Sequence, residues 1–177
     1  ITEVMEEYDP DMDSLLFYLP LAGSAFKKVY FDSLLGRATS AFVKAENLVV
    51  SYDTTNLETS PRTTHVITMT GNDIRKMQLN GVYRDFDIGS AGEPDYNEAK
   101  DKLDELQGLS RPTSDYNEYT LLEVHVDLEL EGVDEYEFGV PYIVTILEDS
   151  GEILAIRRNW AMEDELFRKK EYFIHYK

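Results

Sequence analysis

The stretch LLEVHVDLELE, residues 121–131, determines the fold class of this chain because hydrophobic and polar residues alternate from Leu122 to its end without interruption. Side chains two positions apart lie on the same face of a strand. Such alternation is typical of an antiparallel strand with one buried face and one solvated face. The predicted buried face comprises Leu122, Val124, Val126, Leu128 and Leu130, and the predicted solvated face comprises Glu123, His125, Asp127, Glu129 and Glu131.

The sequence on both sides of this strand predicts further β structure. YIVTILEDSGEILAIRRNW (142–160) predicts a hairpin whose turn is EDSGE, with Gly151 able to adopt positive φ. EYFIHYK (171–177) predicts another strand. In the first half, AFKKVYFD (25–32), SAFVKAENLVVSYD (40–53) and THVITMT (64–70) predict strands, with AEN as a single helical turn and GRATS (36–40) as a turn.

Two segments predict short helices. In YDPDMDSLLFYLP (8–20), Asp9 is the expected N-cap and Pro10 occupies the first turn. Pro20 favours extended backbone at the preceding residue, so this helix is expected to end at Leu19. In TGNDIRKMQLNG (70–81), Thr70 is the expected N-cap. Ile74, Met77 and Leu79 are expected to bury the inner side of the second helix.

The segment 88–117 is polar and predicts a surface insertion, within which Pro94 to Gln107 can form an exposed helix. Taken together, the 177 residues predict one α+β domain, built on a mainly antiparallel sheet with two or three packed helices. Strands from the first half are expected to join the sheet of the second half. The first residue is Ile1, and the last strand pattern stops abruptly, so we expect the chain to be an excerpt of a longer protein.

Composition excludes several classes of function. The chain has 35 acidic and 17 basic residues, a net charge of -18, and no cysteine. A strongly negative field repels the phosphate backbone, so the domain does not have the character of a DNA-binding module. Disulfides, thiol chemistry and cysteine-bound zinc are excluded. No apolar run approaches the roughly 20 residues of a membrane span.

The corner PLAGSAF (20–26) has the residues of a phosphate loop or a nucleophile turn in the wrong order. A phosphate loop needs Gly-Lys-Ser/Thr at the start of a helix, and a nucleophile elbow needs Gly-x-Ser-x-Gly between strand and helix. Here Gly23 and Ser24 follow a predicted helix and precede a predicted strand. The pattern favours a plain connection between the two elements.

The charged face of the central strand offers a candidate metal site. Glu123, His125 and Asp127 point the same way on a strand and could converge on a divalent ion. Exposed strands also carry such charges to remain soluble, and this second interpretation is favoured. His65 and His175 lie in separate predicted strands without the spacing of a metal motif. No catalytic residue and no cofactor is predicted.

Positive charge is concentrated near the end of the chain. The residues are Arg157, Arg158, Arg168, Lys169 and Lys170. In so acidic a chain they balance acidic groups of the same subunit, or they contact a neighbouring subunit; direct contact with DNA is the least favoured alternative.

Six stretches resemble, in order, the portal (head-to-tail connecting) proteins of short-tailed phages and related prophages. They are LLFYLPLAGSAFKKVYFDSLLGR (15–37), FVKAENLVVSYDTTNLETSPRTTHVITMT (42–70), NDIRKMQLNGVYRD (72–85), YTLLEVHVDLELEG (119–132), PYIVTILEDSGEILAIRRNW (141–160) and EYFIHYK (171–177). The segment 88–117 and the loop near Glu135 match poorly.

The resemblance implies a structural role without catalysis. Portal proteins form a ring, typically of twelve subunits, at one capsid vertex. The terminase docks on this ring, DNA passes through it without sequence-specific contact, and tail adaptors attach later. The resemblance places this chain in the wing and adjoining hip, before the first stem helix. It implies location in the virion, and in the bacterial host cytoplasm during assembly, with no membrane partner.

Two other classes of function remain open at this point. The first is a metal-dependent nuclease or hydrolase that uses the His125 carboxylate face. The second is a generic protein-binding module, such as a tail adaptor.

Overall fold

The computed structural model describes residues 5, 7–32, 35–89, 102, 118–131 and 138–177. The elements are α1 (Tyr8–Ala22), β1 (Ala25–Asp32), β2 (Arg37–Lys44), a 3-10 turn (Ala45–Asn47), β3 (Leu48–Val50), β4 (Arg62–Thr70), α2 (Gly71–Leu79), β5 (Glu118–Leu128), β6 (Val140–Leu147), β7 (Ile153–Arg158) and β8 (Phe173–Tyr176).

The strands form two antiparallel sheets. In the first sheet the order is β2-β1-β8, and in the second it is β3-β4-β5-β6-β7. The predicted α+β class with mainly antiparallel sheet is confirmed. Strands β3 and β4 of the first half join the sheet of the second half through β5, as predicted. Strands β1 and β2 do not, because they form a separate sheet with the last strand, β8.

Hydrophobic side chains close three interfaces around these sheets. Helix α1 packs on the first sheet through Leu15 and Tyr18. Helix α2 packs on the second sheet through Ile74, which is fully buried. The two sheets meet through Phe26 of β1 and Leu48 of β3. Strand β5 is the central strand of the second sheet, and the side chains on one of its faces lie at the interface between the two sheets.

Helix α1 is longer than the sequence predicts. It begins at Tyr8 after Glu7 rather than at an Asp9 N-cap, and it continues through Pro20 to Ala22. Proline removes only the hydrogen bond to the carbonyl of Leu16, a residue on the exposed side where water can replace the lost donor. The helix ends instead at Gly23, which has φ +71° and donates its N–H to the Leu19 carbonyl at 2.8 Å.

The predicted turn at GRATS is confirmed only at Gly36, which has φ +64°, because β2 already begins at Arg37. The single turn at AEN and the β6–β7 hairpin with Gly151 at φ +69° are confirmed. Helix α2 has the predicted N-cap, since Thr70 Oγ1 accepts a hydrogen bond from the Asp73 N–H. Leu79 was expected on its inner side, but it is exposed, and Gln78 is buried instead.

Gln78 is buried because its side-chain amide forms hydrogen bonds with backbone carbonyls outside the helix. Its Nε2 donates to the carbonyls of Arg84 and Phe86, at 3.1 and 2.8 Å. These bonds fix the segment that follows α2 against the second sheet, where the Arg84 N–H donates to the Leu154 carbonyl of β7. Helical periodicity cannot predict a buried amide whose partners lie outside the helix.

The predicted insertion 88–117 lies outside the described residues apart from Ile88, Gly89 and Lys102, and so does most of its predicted helix. The loop near Glu135 is also outside them. Among the helices of the described residues, none is long and apolar enough to cross a bilayer.

Candidate functional site

A group of buried charged side chains lies between the two sheets. Lys28 of β1 and Glu123 of β5 form an ion pair in which Nζ is 2.7 Å from Oε1. His125 Nε2 lies 2.9 Å from the same carboxylate oxygen. The side chains of all three residues are about nine-tenths buried, so we call them the inter-sheet network.

The protonation state of Glu123 follows from its neighbours. Burial by itself would raise the pKa of this carboxyl, but the hydrogen bond from His125 and the positive charge of Lys28 outweigh burial and hold the pKa far below its usual range. Glu123 is therefore a carboxylate, which can only accept hydrogen bonds. It follows that His125 carries a hydrogen on Nε2 and donates it to Glu123.

Other titratable side chains surround the inter-sheet network. Burial and the nearby Lys28 charge lower the pKa of His65 to about 4, so this imidazole is neutral at pH 7. Burial is the main cause of a raised pKa in Tyr30, Tyr83 and Tyr172, and the Glu123 carboxylate adds to the rise in each. His65 and the three tyrosines are therefore neutral at pH 7, and they surround the ion pair of Lys28 and Glu123.

The structure corrects the interpretation of β5 as a strand with a solvated charged face. Glu123 and His125 point into the protein, whereas Asp127 is exposed as predicted. The charged face can turn inward because Lys28, on the other sheet, supplies the opposite charge. Its aliphatic counterparts Leu122 and Val124 are only half-buried.

The candidate metal ligands are only partly brought together. Glu123 and His125 are in contact, but the positively charged Lys28 and Arg157 already lie against the two oxygens of the Glu123 carboxylate. Among the described residues, no three His, Asp or Glu side chains form a group that could hold a metal ion. The chemistry available to the inter-sheet network is therefore cross-linking of the two sheets by charge-assisted hydrogen bonds.

The corner at Gly23 joins α1 to β1, as the sequence analysis favoured, but it also makes a contact that was not predicted. Ser24 Oγ lies 2.7 Å from His175 Nε2, on the last strand. A serine nucleophile needs its histidine oriented by a third group, usually a carboxylate. No carboxylate within the described part of the chain is hydrogen-bonded to His175, whose ring instead stacks on Phe26 at 4.5 Å. The pair attaches β8 to the corner.

The five basic residues have different surroundings. Arg157 Nη2 approaches Glu123 Oε2 at 3.7 Å, and Arg158 lies over the Trp160 ring. Arg168 pairs with Asp164, four residues earlier. Lys169 Nζ donates to two backbone carbonyls of the 56–61 loop. Lys170 is exposed. Pairing with acidic groups of the same chain is thus seen for Arg157 and Arg168, and contact with a neighbouring subunit stays a prediction.

Two adjoining cavities of about 380 and 470 Å³ open beside the inter-sheet network. Together we call them the β8 groove. Their common lining consists of Glu58, Thr63, His125, Asn159 and Lys169. The 56–61 loop forms one wall, and the chain from Phe167 to Lys177 forms the other. The Lys169 side chain crosses between the walls to reach the carbonyls of the loop.

Compared with protein-family models and with curated protein sequences, the chain matches none.

Sequence reasoning missed Lys28, His65 and Asn159 as members of this region. Lys28 looked like an exposed residue in an alternating strand, and only the second sheet makes its position internal. One signal was present: a lysine on the same strand face as Phe26 predicts either an exposed face or a buried partner of opposite charge.

Proposed function

We propose that this chain is a structural part of a phage portal subunit, belonging to the wing and adjoining hip ahead of the first stem helix. In this proposal the full subunit forms a ring with other portal subunits at the capsid vertex. The ring serves as the DNA conduit and head-tail connection during genome packaging and ejection. Terminase, capsid and tail adaptor proteins bind through the full-length subunit.

The observation that carries the proposal is the use of the inter-sheet network. Lys28, Glu123 and His125 satisfy one another between the sheets, and this arrangement stabilises a rigid two-sheet domain rather than a reacting group. The six stretches that resemble portal proteins coincide with the elements that build this domain, from α1 to β8. The net charge of -18 agrees with a wall that DNA passes without adhering.

Assembly of the complete gene product that contains this chain tests the proposal. Negative-stain electron microscopy and light scattering after gel filtration should reveal rings with a central channel. Compact monomers of the complete product would overturn the proposal.

The contribution of the basic residues is tested in the same assay. Neutralising Arg157 and Arg158 to Gln should reduce the ring fraction if these residues contact the next subunit. A matched control neutralises Arg75 and Lys76, an adjacent basic pair exposed on α2. Equal ring fractions in all three proteins would remove Arg157 and Arg158 from the contact but leave the ring itself in place.

The metal-dependent hydrolase remains the alternative from another class. Calorimetric titration with Mg²⁺, Mn²⁺ and Zn²⁺ separates it from a structural role. Tight binding that disappears when His125→Ala and Asp127→Ala are combined would favour the enzyme. We expect no such binding, because Lys28 holds the shared carboxylate.

A further inference from the structure

The outer edge of β8 carries backbone groups that are directed away from the first sheet. The Val29 N–H donates to the Tyr172 carbonyl at 2.8 Å, which makes these two residues a hydrogen-bonded pair. Such pairs alternate along antiparallel strands, so Ile174 and Tyr176 also face β1. The N–H and C=O groups of Phe173 and His175 therefore point outward, where the described part of the chain places no further strand.

The opposite edge of the same sheet is closed. By the same alternation the N–H of Phe42 points away from β1, and there it donates to Asp11 Oδ2 of helix α1 at 2.8 Å. The sheet thus has one edge covered by α1 and one open edge at β8. An unpaired edge is a template for an added strand.

The open edge borders the smaller cavity of the β8 groove. Residues 169–175 and Lys177 line it, and Phe173 and His175, whose backbone groups face outward, are among them. The 56–58 loop forms the facing wall. The outward backbone groups of Phe173 and His175 therefore border this cavity, and an exposed strand edge of this kind can accept an added strand.

A second, independent group in the groove also lacks a partner. Asn159 is 2% exposed and lines both cavities, and its Oδ1 accepts no hydrogen bond from the described residues. A buried acceptor without a donor costs free energy unless a ligand or water satisfies it. The N–H groups of an extended peptide are donors of the required kind.

The charge of the smaller cavity favours an acidic occupant. Three lysines and two glutamates line it: Lys169, Lys170, Lys177, Glu58 and Glu171. The whole chain has twice as many acidic residues as basic ones, so this cavity is locally positive on a negative molecule. His175 adds a further donor on the same side.

We infer that the smaller cavity of the β8 groove, rather than the larger one lined by Glu58, Asp127 and Lys169, binds an extended acidic peptide segment of a protein partner, which adds to β8 as an antiparallel or parallel fourth strand of the first sheet. The backbone of Phe173 and His175 supplies the main-chain hydrogen bonds, and Lys170 and Lys177 pair with carboxylates of the segment. This inference does not depend on the proposed portal function, because it concerns an edge that any partner with this chemistry can use.

A synthetic peptide tests the inference on the protein as it stands. The probe is a fluorescein-labelled heptapeptide of alternating Glu and Val, followed by fluorescence anisotropy. We expect micromolar binding that weakens as NaCl rises from 50 to 300 mM, since charge pairs at a surface are screened. Amide hydrogen exchange at Phe173 and His175 should slow when the peptide is bound.

Two control peptides separate strand addition from simple charge attraction. A peptide of alternating Lys and Val keeps the β propensity and reverses the charge, and it should bind at least tenfold more weakly. An acidic peptide N-methylated at alternate residues keeps the charge and loses the donors of one edge, and it should also bind at least tenfold more weakly. Equal binding of the N-methylated peptide would overturn the inference.

Protein variants locate the site. His175→Pro removes the outward N–H, and His175→Ala removes the same imidazole while keeping the N–H. The proline variant should bind at least fivefold more weakly than the alanine variant, and circular dichroism verifies that both are folded. Neutralising Lys170 and Lys177 to Gln should weaken binding about fivefold, whereas Arg75→Gln with Lys76→Gln on α2 should leave it unchanged.

Three further results would contradict the inference. They are no binding to the wild-type chain at 1 mM peptide, equal binding by His175→Pro and His175→Ala, and protection of another edge in hydrogen exchange. Concentration-dependent self-association that His175→Pro abolishes would assign the edge to a second copy of this chain instead. Each result leaves the ring assay of the complete gene product unaffected.

Discussion

Glu123 is the residue on which the contact between the sheets depends most directly. Its carboxylate accepts hydrogen bonds from Lys28 of the first sheet and from His125 of its own strand, at 2.7 and 2.9 Å. Removing one member of a buried pair leaves an uncompensated charge, which costs more than the pair contributes when intact. We therefore expect the cost of removing Lys28 or Glu123 to depend strongly on whether the other residue is still present.

A double-mutant cycle measures this dependence. Lys28→Met and Glu123→Gln should each lower the free energy of unfolding by about 3 kcal/mol. The double variant should lose at least about 1 kcal/mol less than the sum of the two, because neither charge is then left alone. Urea unfolding followed by circular dichroism gives all three values.

The exposed pair of Asp73 and Lys76 on α2 provides the matched control. Its side chains are about half exposed, and solvent screens the pair, so its coupling energy should be much smaller than that of Lys28 and Glu123. Additive losses at Lys28 and Glu123, no larger in coupling than at this control pair, would contradict a role of the inter-sheet network in stability.

His65 should make stability fall at mildly acidic pH. Its pKa is about 4 in the folded protein against 6.5 when unfolded, so the unfolded state binds more protons between these two values. The free energy of unfolding is unaffected by His65 above pH 6.5 and should fall as pH drops from 6.5 towards 4. His65→Gln removes this titration.

The measurement compares urea unfolding of wild type and His65→Gln between pH 7.5 and 4. The difference between the two proteins should change by roughly 2 to 3 kcal/mol in favour of the variant as pH falls, and should be constant above pH 7. Parallel stability curves over the whole range would show that His65 protonates as readily in the folded protein as in the unfolded chain.

At the scale of elements, the end of α1 depends on one backbone conformation. Gly23 has φ +71°, a value that side chains with a Cβ adopt only with strain, and its N–H closes the helix on Leu19. The same residue leads directly into β1, so strain there affects both elements.

Gly23→Ala should lower the free energy of unfolding by about 1 kcal/mol, because alanine disfavours the left-handed conformation. Gly139→Ala is the matched control. Gly139 is not among the glycines with positive φ, and an added Cβ would meet the Asp127 region at an ordinary 3.5 Å. The control should be neutral or slightly stabilising, and a similar loss in both variants would rule out the conformational cause.

At the scale of the whole molecule, net charge opposes compactness. With a charge of -18 the folded chain repels itself, and salt screens this repulsion. The inter-sheet network is buried and is screened much less. Added salt should therefore stabilise the protein rather than weaken it.

Thermal unfolding at 10, 100 and 300 mM NaCl tests this balance. The midpoint should rise by about 3 °C over this range, which corresponds to roughly 1 kcal/mol for a chain of this size. A falling midpoint would mean that exposed ion pairs such as Arg84–Glu152 contribute more to stability than self-repulsion removes.

The sequence by itself determined the elements that rest on local patterns. Alternation predicted β5 and the β6–β7 hairpin, and capping residues predicted α2, because these signals involve neighbours along the chain. Composition excluded cysteine chemistry. The end of α1 was placed too early because the rule for the residue before proline describes a preference that the packing of Leu15 and Tyr18 outweighs.

Only the tertiary structure decided which face of β5 is internal and what lies there. Alternation divides a strand into two faces, but it cannot say that a lysine 95 residues away will lie opposite a glutamate and make the charged side the buried one. The separation of the strands into two sheets, the Ser24–His175 contact and the open edge of β8 depend on the same long-range pairing. The free energy of burying a charge is decided by the partner that the fold supplies, and no local stretch of sequence contains that partner.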